Sequence, residues 1–155
     1  MEIERKFLVT ELASEAAQAP ATDLRQGYLA LDGAVEVRVR ADGGAHTLTI
    51  KGGSGLTRTE AEVVLDAETF DRLWPLTEGR RVDKRRHRLA LGDGLILEVD
   101  VYAGHLAGLM TAEVEFASAA DSAQWDPPAW LGRELTGDGR YANQSLATQG
   151  VPTVS

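Results

Sequence analysis

The chain has 155 residues, no cysteine, and 16 Lys+Arg against 24 Asp+Glu, for a net charge of −8. That length suits one domain over 1–155 with a substantial core and leaves little room for a second. The composition excludes disulfides, thiolate metal sites and a cysteine nucleophile, argues against a nucleic-acid coat, which is usually basic, and offers no apolar run near the roughly 18–20 residues of a membrane helix.

In chain order, the opening Met1-Glu2-Ile3-Glu4-Arg5-Lys6 lacks the layout of a secretory signal, so a cytoplasmic protein is expected. Period-two alternation, the mark of strands with unlike faces, then dominates the first two-thirds. Residues 2–9 set Ile3, Phe7 and Val9 against Glu2, Glu4 and Lys6, with Arg5 interrupting the apolar side. An Ala- and Glu-rich stretch over 11–19 predicts a short helix before Pro20. Residues 23–31 form a further strand that carries Tyr28. In 34–41, Val35, Val37 and Val39 oppose Glu36, Arg38 and Arg40; in 45–51, Leu48 and Ile50 oppose Thr47, Thr49 and Lys51. In 57–65, Ala61, Val63 and Leu65 oppose Arg58, Glu60 and Glu62. Asp66 reads as the N-cap of a helix over 67–77 with a Phe70/Leu73/Trp74 stripe. Strands follow over 82–91 (Lys84, Arg86 and Arg88 sharing a face), 95–102 (Glu98 and Asp100) and 111–116 (Glu113 and Glu115), and a helix is expected near 141–149. Asp32-Gly33, Asp42-Gly43-Gly44 and Gly92-Asp93-Gly94 are hairpin turns, so neighbouring strands are antiparallel.

The polar faces carry the chemical signal. Like charges recur two residues apart, about 7 Å along a strand, as Glu2/Glu4, Glu60/Glu62, Glu98/Asp100 and Glu113/Glu115, and as Arg38/Arg40 and Arg86/Arg88. A solvated face mixes signs to lower repulsion; segregation by strand needs something of mixed charge to offset it. Carboxylates on adjacent strands chelate a hard divalent cation such as Mg²⁺ or Mn²⁺, and nearby arginines and lysines grip phosphate oxygens. Only three lysines occur, at 6, 51 and 84. About eight antiparallel strands can close into a barrel. With the charged face inward, its apolar outside would need cover from Phe70, Leu73, Trp74, Trp125, Trp130 or a partner subunit.

At these residues the sequence resembles the CYTH superfamily, the triphosphate tunnel metalloenzymes. Glu2-Ile3-Glu4-Arg5-Lys6 matches the family's opening Glu-x-Glu-x-Lys. Gln26-Gly27-Tyr28, Arg38-x-Arg40, Lys51, Glu60-x-Glu62, Lys84-x-Arg86, Glu98-x-Asp100, Glu113-x-Glu115 and the segment from Glu134 to Asn143 follow in order. The resemblance implies an α+β, mainly β fold: an eight-stranded antiparallel closed β-barrel, or tunnel, with a few peripheral helices. It implies Mg²⁺ or Mn²⁺ as cofactor, with Glu2, Glu4 and Glu115 as ligands and Glu62 and Asp100, with Glu60, as candidates for a second metal or for orienting water. Lys6, Arg38, Arg40, Lys51, Lys84 and Arg86 would bind the phosphate chain, with Lys6 and Tyr28 also candidates for catalysis. Either Glu113 or Glu60 would position or deprotonate the water. Tyr28 reads equally as a residue packed at the barrel mouth. Two motifs depart from the pattern: Arg85 and His87 interleave the basic one, and in the last acidic one Thr111 occupies a place where some relatives carry Glu.

The implied reaction is metal-dependent hydrolysis of inorganic triphosphate to pyrophosphate and phosphate, since sparse aromatics leave little to grip an adenine or thiamine ring. A class IV type adenylate cyclase, a thiamine triphosphatase and a non-enzymatic triphosphate or polyphosphate binder are the alternatives. No nucleic-acid or membrane partner is expected, and the resemblance implies a homodimer. His46, His87 and His105 lack metal-ligand spacing, Gly52-Gly53-Ser54-Gly55 lacks the ending of a P-loop, and the tryptophans read as core.

Overall fold

The computed structural model describes residues 3–53 and 59–153, so Glu2, Ser54 and the first two positions of the expected 57–65 strand lie outside the described residues. Among the described residues nine strands form one antiparallel sheet: β1 (Ile3–Val9), β2 (Ala21–Asp32), β3 (Val35–Asp42), β4 (Ala45–Gly52), β5 (Thr59–Leu65), β6 (Arg81–Gly92), β7 (Leu95–Tyr102), β8 (Met110–Phe116) and β9 (Leu131–Glu134). Their order across the sheet is β5-β4-β3-β2-β6-β7-β8-β1-β9. Four short helices decorate it: α1 (Ser14–Ala17), α2 (Ala67–Leu73), α3 (Ala119–Gln124) and α4 (Asn143–Gln149). Among the described residues no helix is long and apolar enough to cross a membrane.

The expected mainly-β, antiparallel class with peripheral helices is what the chain adopts. Closure differs. Among the described residues, β5 and β9 are edges that no ladder joins, and the strands number nine. The physical reason lies at β1. One of its edges pairs with β8 and the other takes β9, through Phe7↔Glu134 and Val9↔Leu131. The position that a closing strand would occupy beside that half of β1 is already filled.

Local chemistry sets most boundaries. Asp93 and Gly94 have φ of 53° and 76°, the left-handed pair that a tight β6–β7 hairpin requires. The Asp66 carboxylate accepts from the Thr69 N–H at 2.7 Å and caps α2. The helix expected over 67–77 ends at Leu73 and tightens into a 3₁₀ turn over Trp74–Thr77, with Pro75 near its start. That turn lies on Gly27, where a Cβ would come within 2.5 Å of Thr77 Cβ. The glycine of Gln26-Gly27-Tyr28 is thus a requirement of packing.

Two apolar clusters cover opposite sides of the sheet. On the outer face, Val9, Leu97, Val99, Ala112, Val114 and Phe116 pack beneath Ala16, Trp125 and Trp130. Arg5, the odd residue on that face, donates to Glu134 at 2.8 and 3.1 Å and to the carbonyls of Ser122 and Trp125, and its guanidinium lies 5.3 Å from the Phe7 ring. It ties β9 and α3 to β1 instead of exposing a charge to the core. Phe70 stacks on Trp74 at 5.3 Å and touches His46, which covers the β3–β4 corner. The second cluster forms the floor of the polar face.

Candidate active site

Register places the candidate residues. In an antiparallel ladder, residues directly opposite one another project to the same face. On β1 and β8, Glu4 faces Glu115 and Lys6 faces Glu113. Glu113 faces Glu98 on β7, and Asp100 lies between Thr111 and Arg86. Lys84 faces Leu24 on β2, Gln26 faces Arg40 and Tyr28 faces Arg38. Arg38 faces Thr49, Thr49 faces Glu62, and Lys51 faces Glu60. Every candidate among the described residues therefore falls on one face of the sheet, while Glu2 lies outside them. The ladder also settles the basic strand. Lys84 and Arg86 share the site face, whereas Arg85 is exposed and His87 is buried on the opposite one.

One end of this face is sealed by Leu8, Tyr28, Val82, Tyr102, Leu106, Leu109, Leu135, Tyr141, Leu146 and Ala147. The C-terminal segment makes the seal bind the lysines. Lys6 Nζ donates to the Tyr141 carbonyl at 2.7 Å, and Lys84 Nζ donates to Asn143 Oδ1 at 3.2 Å. β1 and β6, separated by two strands in the sheet, thus meet the same three-residue stretch, which requires the face to be concave. Tyr28 belongs to this floor, and Gln26 Nε2 lies 3.5 Å from its hydroxyl. Burial raises its pKa, although the Arg38 charge opposes the rise.

Immediately above the floor the charges interlock. Arg86 Nε and Nη2 donate to the two Asp100 oxygens at 2.8 and 3.0 Å, and Lys84 Nζ reaches Asp100 Oδ2 at 2.9 Å. The side chains of Lys84, Asp100 and Arg86 are 1%, 4% and 12% exposed. Burial brings the Lys84 ammonium down to about 8, against the pull of Asp100. Burial would raise Asp100, yet the charges and hydrogen bonds of Lys84 and Arg86 bring it to about 2. For Arg86, burial is outweighed by its Asp100 bonds, and its pKa lies above the usual arginine value.

The neighbouring arginines are less compensated. Arg40 gives two bonds to Gln26 Oε1, at 2.8 and 3.0 Å, and is brought to about 10 by burial and by the charges of Arg38 and Arg86. The buried Nε of Arg38 has no hydrogen-bond partner. Crowded cations with an orphaned donor are the electrostatic signature of a site shaped for an anion. Toward the rim the sign reverses. Glu98, Glu115 and Arg88 line a cavity of about 440 Å³ together with Gly94, Ile96 and Phe116. Arg88 braces this rim by donating to Thr22 at 2.7 Å and to Asp42 at 3.1 Å. Lys51 and Glu60, 4.0 Å apart, lie with Glu62 on β4 and β5, toward the opposite end of the strand order from Glu4 and Glu115.

For a divalent cation, Glu4 and Glu115 supply hard oxygen donors directly across a ladder, a pairing that such an ion can bridge. The third implied ligand, Glu2, is outside the described residues, and among those described no group of three or more acidic or histidine side chains is close enough to hold a metal. The donor chemistry fits the ion. His105 bonds the Arg81 carbonyl and His46 touches Phe70.

Comparison with known proteins follows the same lines. A family model described as the CYTH domain matches residues 1–148. An inorganic triphosphatase of Nitrosomonas europaea is 46% identical over 147 residues, covering 94% of this chain and 96% of that protein. One from Acetivibrio thermocellus is 37% identical over 147 residues, covering 94% and 92%. The crystal structure of an inorganic triphosphatase superposes with a TM-score of 0.79 at 43% identity, covering 96% of this chain and 95% of that one.

Proposed function

The chain belongs to the CYTH domain family, and from that premise we propose that it is a metal-dependent triphosphatase that cleaves inorganic triphosphate to pyrophosphate and phosphate. The observation that carries this reading is the single polar face, cationic at its sealed end and anionic at its rim. A short polyphosphate is anionic throughout. Its inner end would be drawn to Lys6, Lys84, Arg86, Arg40 and Arg38, and the cation that screens its outer end to Glu4 and Glu115, with Glu2.

Hydrolysis adds water to an already electron-rich phosphoryl group, so catalysis here is largely positioning and charge stabilisation. A bound Mg²⁺ or Mn²⁺ would supply charge neutralisation at the transferring phosphoryl oxygens. The residues do the rest. Arg86 and Lys84 are held by Asp100, and Arg40 by Gln26, so the cations need little reorganisation when substrate arrives. Glu113 lies between Lys6 and Glu98, a carboxylate within the polar face suited to orient water. Glu60, on an exposed edge strand beside Lys51, is the other candidate for that role. Among the described residues, the aromatics that these strands turn to the polar face, Tyr28 and Tyr102, are both committed to the floor, which disfavours a base or thiamine ring as the recognised group.

This reading treats 1–155 as one cytoplasmic domain that acts on a small-molecule substrate. Pairing as a homodimer is carried over from the family resemblance alone.

The test is to incubate purified protein with inorganic triphosphate, ATP or thiamine triphosphate, with Mg²⁺ or Mn²⁺, while measuring phosphate and cyclic AMP. Phosphate release preferentially from inorganic triphosphate, lost on chelation of the metal, is expected. Cyclic AMP as the main product, preferential thiamine triphosphate turnover, or binding without turnover in either metal overturns the reading.

A pH profile gives an independent check. Lys84 is a cation below about 8 and loses its charge above it, and kcat/KM reports groups of the free enzyme. The value of kcat/KM for triphosphate is therefore expected to fall as pH rises through about 8, with KM rising as phosphate affinity is lost. A flat profile from about pH 7 to about 9.5 would contradict a phosphate-binding role for this lysine.

A further inference from the structure

We propose that Asp100 is a positioning residue that locks Lys84 and Arg86 into one preformed phosphate grip, and that it is not a metal ligand. The inference rests on the reading above that this face binds triphosphate, and it reassigns a carboxylate that the family resemblance places among the metal candidates.

A metal ligand must offer a free lone pair in a position that a cation can approach. Asp100 is nearly spent on both counts: three of its roughly four acceptor sites are taken, and its side chain is only 4% exposed. Its Oδ1 accepts from Arg86 Nε at 2.8 Å, and its Oδ2 accepts from Arg86 Nη2 at 3.0 Å and from Lys84 Nζ at 2.9 Å. These are three charge-assisted bonds, two of them a bidentate guanidinium fork. The residue directly across β8 is Thr111, whose hydroxyl lies 3.3 Å from the Tyr102 hydroxyl, so no second carboxylate faces Asp100 from that strand. The next acid along β7, Glu98, meets Arg86 Nη1 at 3.3 Å on the rim side. A divalent ion at Asp100 would sit against two fixed cations with no second carboxylate from β8 to balance it.

The same contacts explain what the carboxylate does. Lys84 and Arg86 lie two residues apart on one strand face, where unscreened they would repel. Asp100 stands between them, almost wholly buried, and Asn143 holds Lys84 from the floor. The two cations are fixed before substrate arrives, which lowers the ordering cost of binding and of the transition state.

The experiment is Asp100→Asn, which keeps the shape and removes the charge. Two affinities are measured on folded protein: Mn²⁺ alone, by titration of its free-ion electron paramagnetic resonance signal, and triphosphate in the presence of a chelator, by calorimetry. The expected result is Mn²⁺ affinity within about twofold of wild type, with metal-free triphosphate affinity lowered about tenfold or more. A loss of Mn²⁺ affinity of about tenfold or more overturns the proposal, as does an unchanged triphosphate affinity. Should the single variant fail to fold, Lys84→Met/Asp100→Asn is compared with Lys84→Met. That pair removes the buried charge together with its partner, and the same two criteria apply against Arg86 alone. Wild-type protein that binds no triphosphate with or without metal overturns the functional reading itself, whereas the variant results bear on Asp100 alone.

Discussion

Replacing Glu4 with alanine is expected to reduce triphosphate hydrolysis by at least about a hundredfold while leaving stability within about 0.5 kcal/mol of wild type. The two halves of this expectation have different origins. Glu4 is exposed near the start of β1, so its loss opens no cavity in the core. It faces Glu115 directly across the β1–β8 ladder, and its removal takes away one of the oxygen donors through which a divalent cation would be held. Phosphate release measured over a metal titration, beside a urea unfolding curve of the same protein, checks both. Near-normal turnover at saturating metal would remove Glu4 from the site. A large loss of stability would make it a structural residue.

The second large effect is on the fold itself. Arg86→Ala is expected to cost about 3–5 kcal/mol, because it strips the bidentate partner from a carboxylate that is 4% exposed. It should also change the acid limb. Asp100 is depressed to about 2 in the folded protein, below the roughly 3.9 of an unfolded aspartate. A depressed carboxyl gives stability that is full above the unfolded value and is lost as pH falls through the folded one. In wild type that loss runs from about pH 4 down through about pH 2. Without Arg86 the Asp100 pKa returns upward, so stability should be lower at neutral pH and acid unfolding should begin at higher pH. Urea midpoints across that range measure it. An unchanged midpoint at pH 7 would show that the Arg86–Asp100 pair contributes nothing net.

Period-two patterning made nearly all of this sheet legible in the sequence, because side chains alternate with a period of two and pairing of two amphipathic strands fixes their common face. Val35/Val37/Val39 against Glu36/Arg38/Arg40 is the clearest instance, and the register of β3 (Val35–Asp42) turns Arg38 and Arg40 to one face together. What escaped lacks such a pattern. β9 is four residues, Leu-Gly-Arg-Glu, with one apolar side chain, and α3 is six residues with no buried position. Lys84-Arg85-Arg86-His87-Arg88 is polar on both faces, and its orientation emerges only from the register Arg86↔Asp100.

The site was legible in its residue types and illegible in its base. Leu8, Tyr28, Val82, Tyr102, Leu135, Tyr141 and Leu146 come from all parts of the chain, and no local period connects them. The contact of Lys6 with the Tyr141 carbonyl is with backbone, which leaves no mark in a side-chain pattern. The open seam was hidden for a similar reason: β9 occupies an edge of β1 through a register that only the folded chain reveals.

Among the described residues, the apolar floor gives the polar face a blind end. Packed side chains from Leu8 to Ala147 close that end beyond Lys84, so a polymer would not pass out through it. For the reaction proposed, a long phosphate chain could present only a terminus to the inner cations, with its remainder left outside, and internal bonds far from an end would stay out of reach.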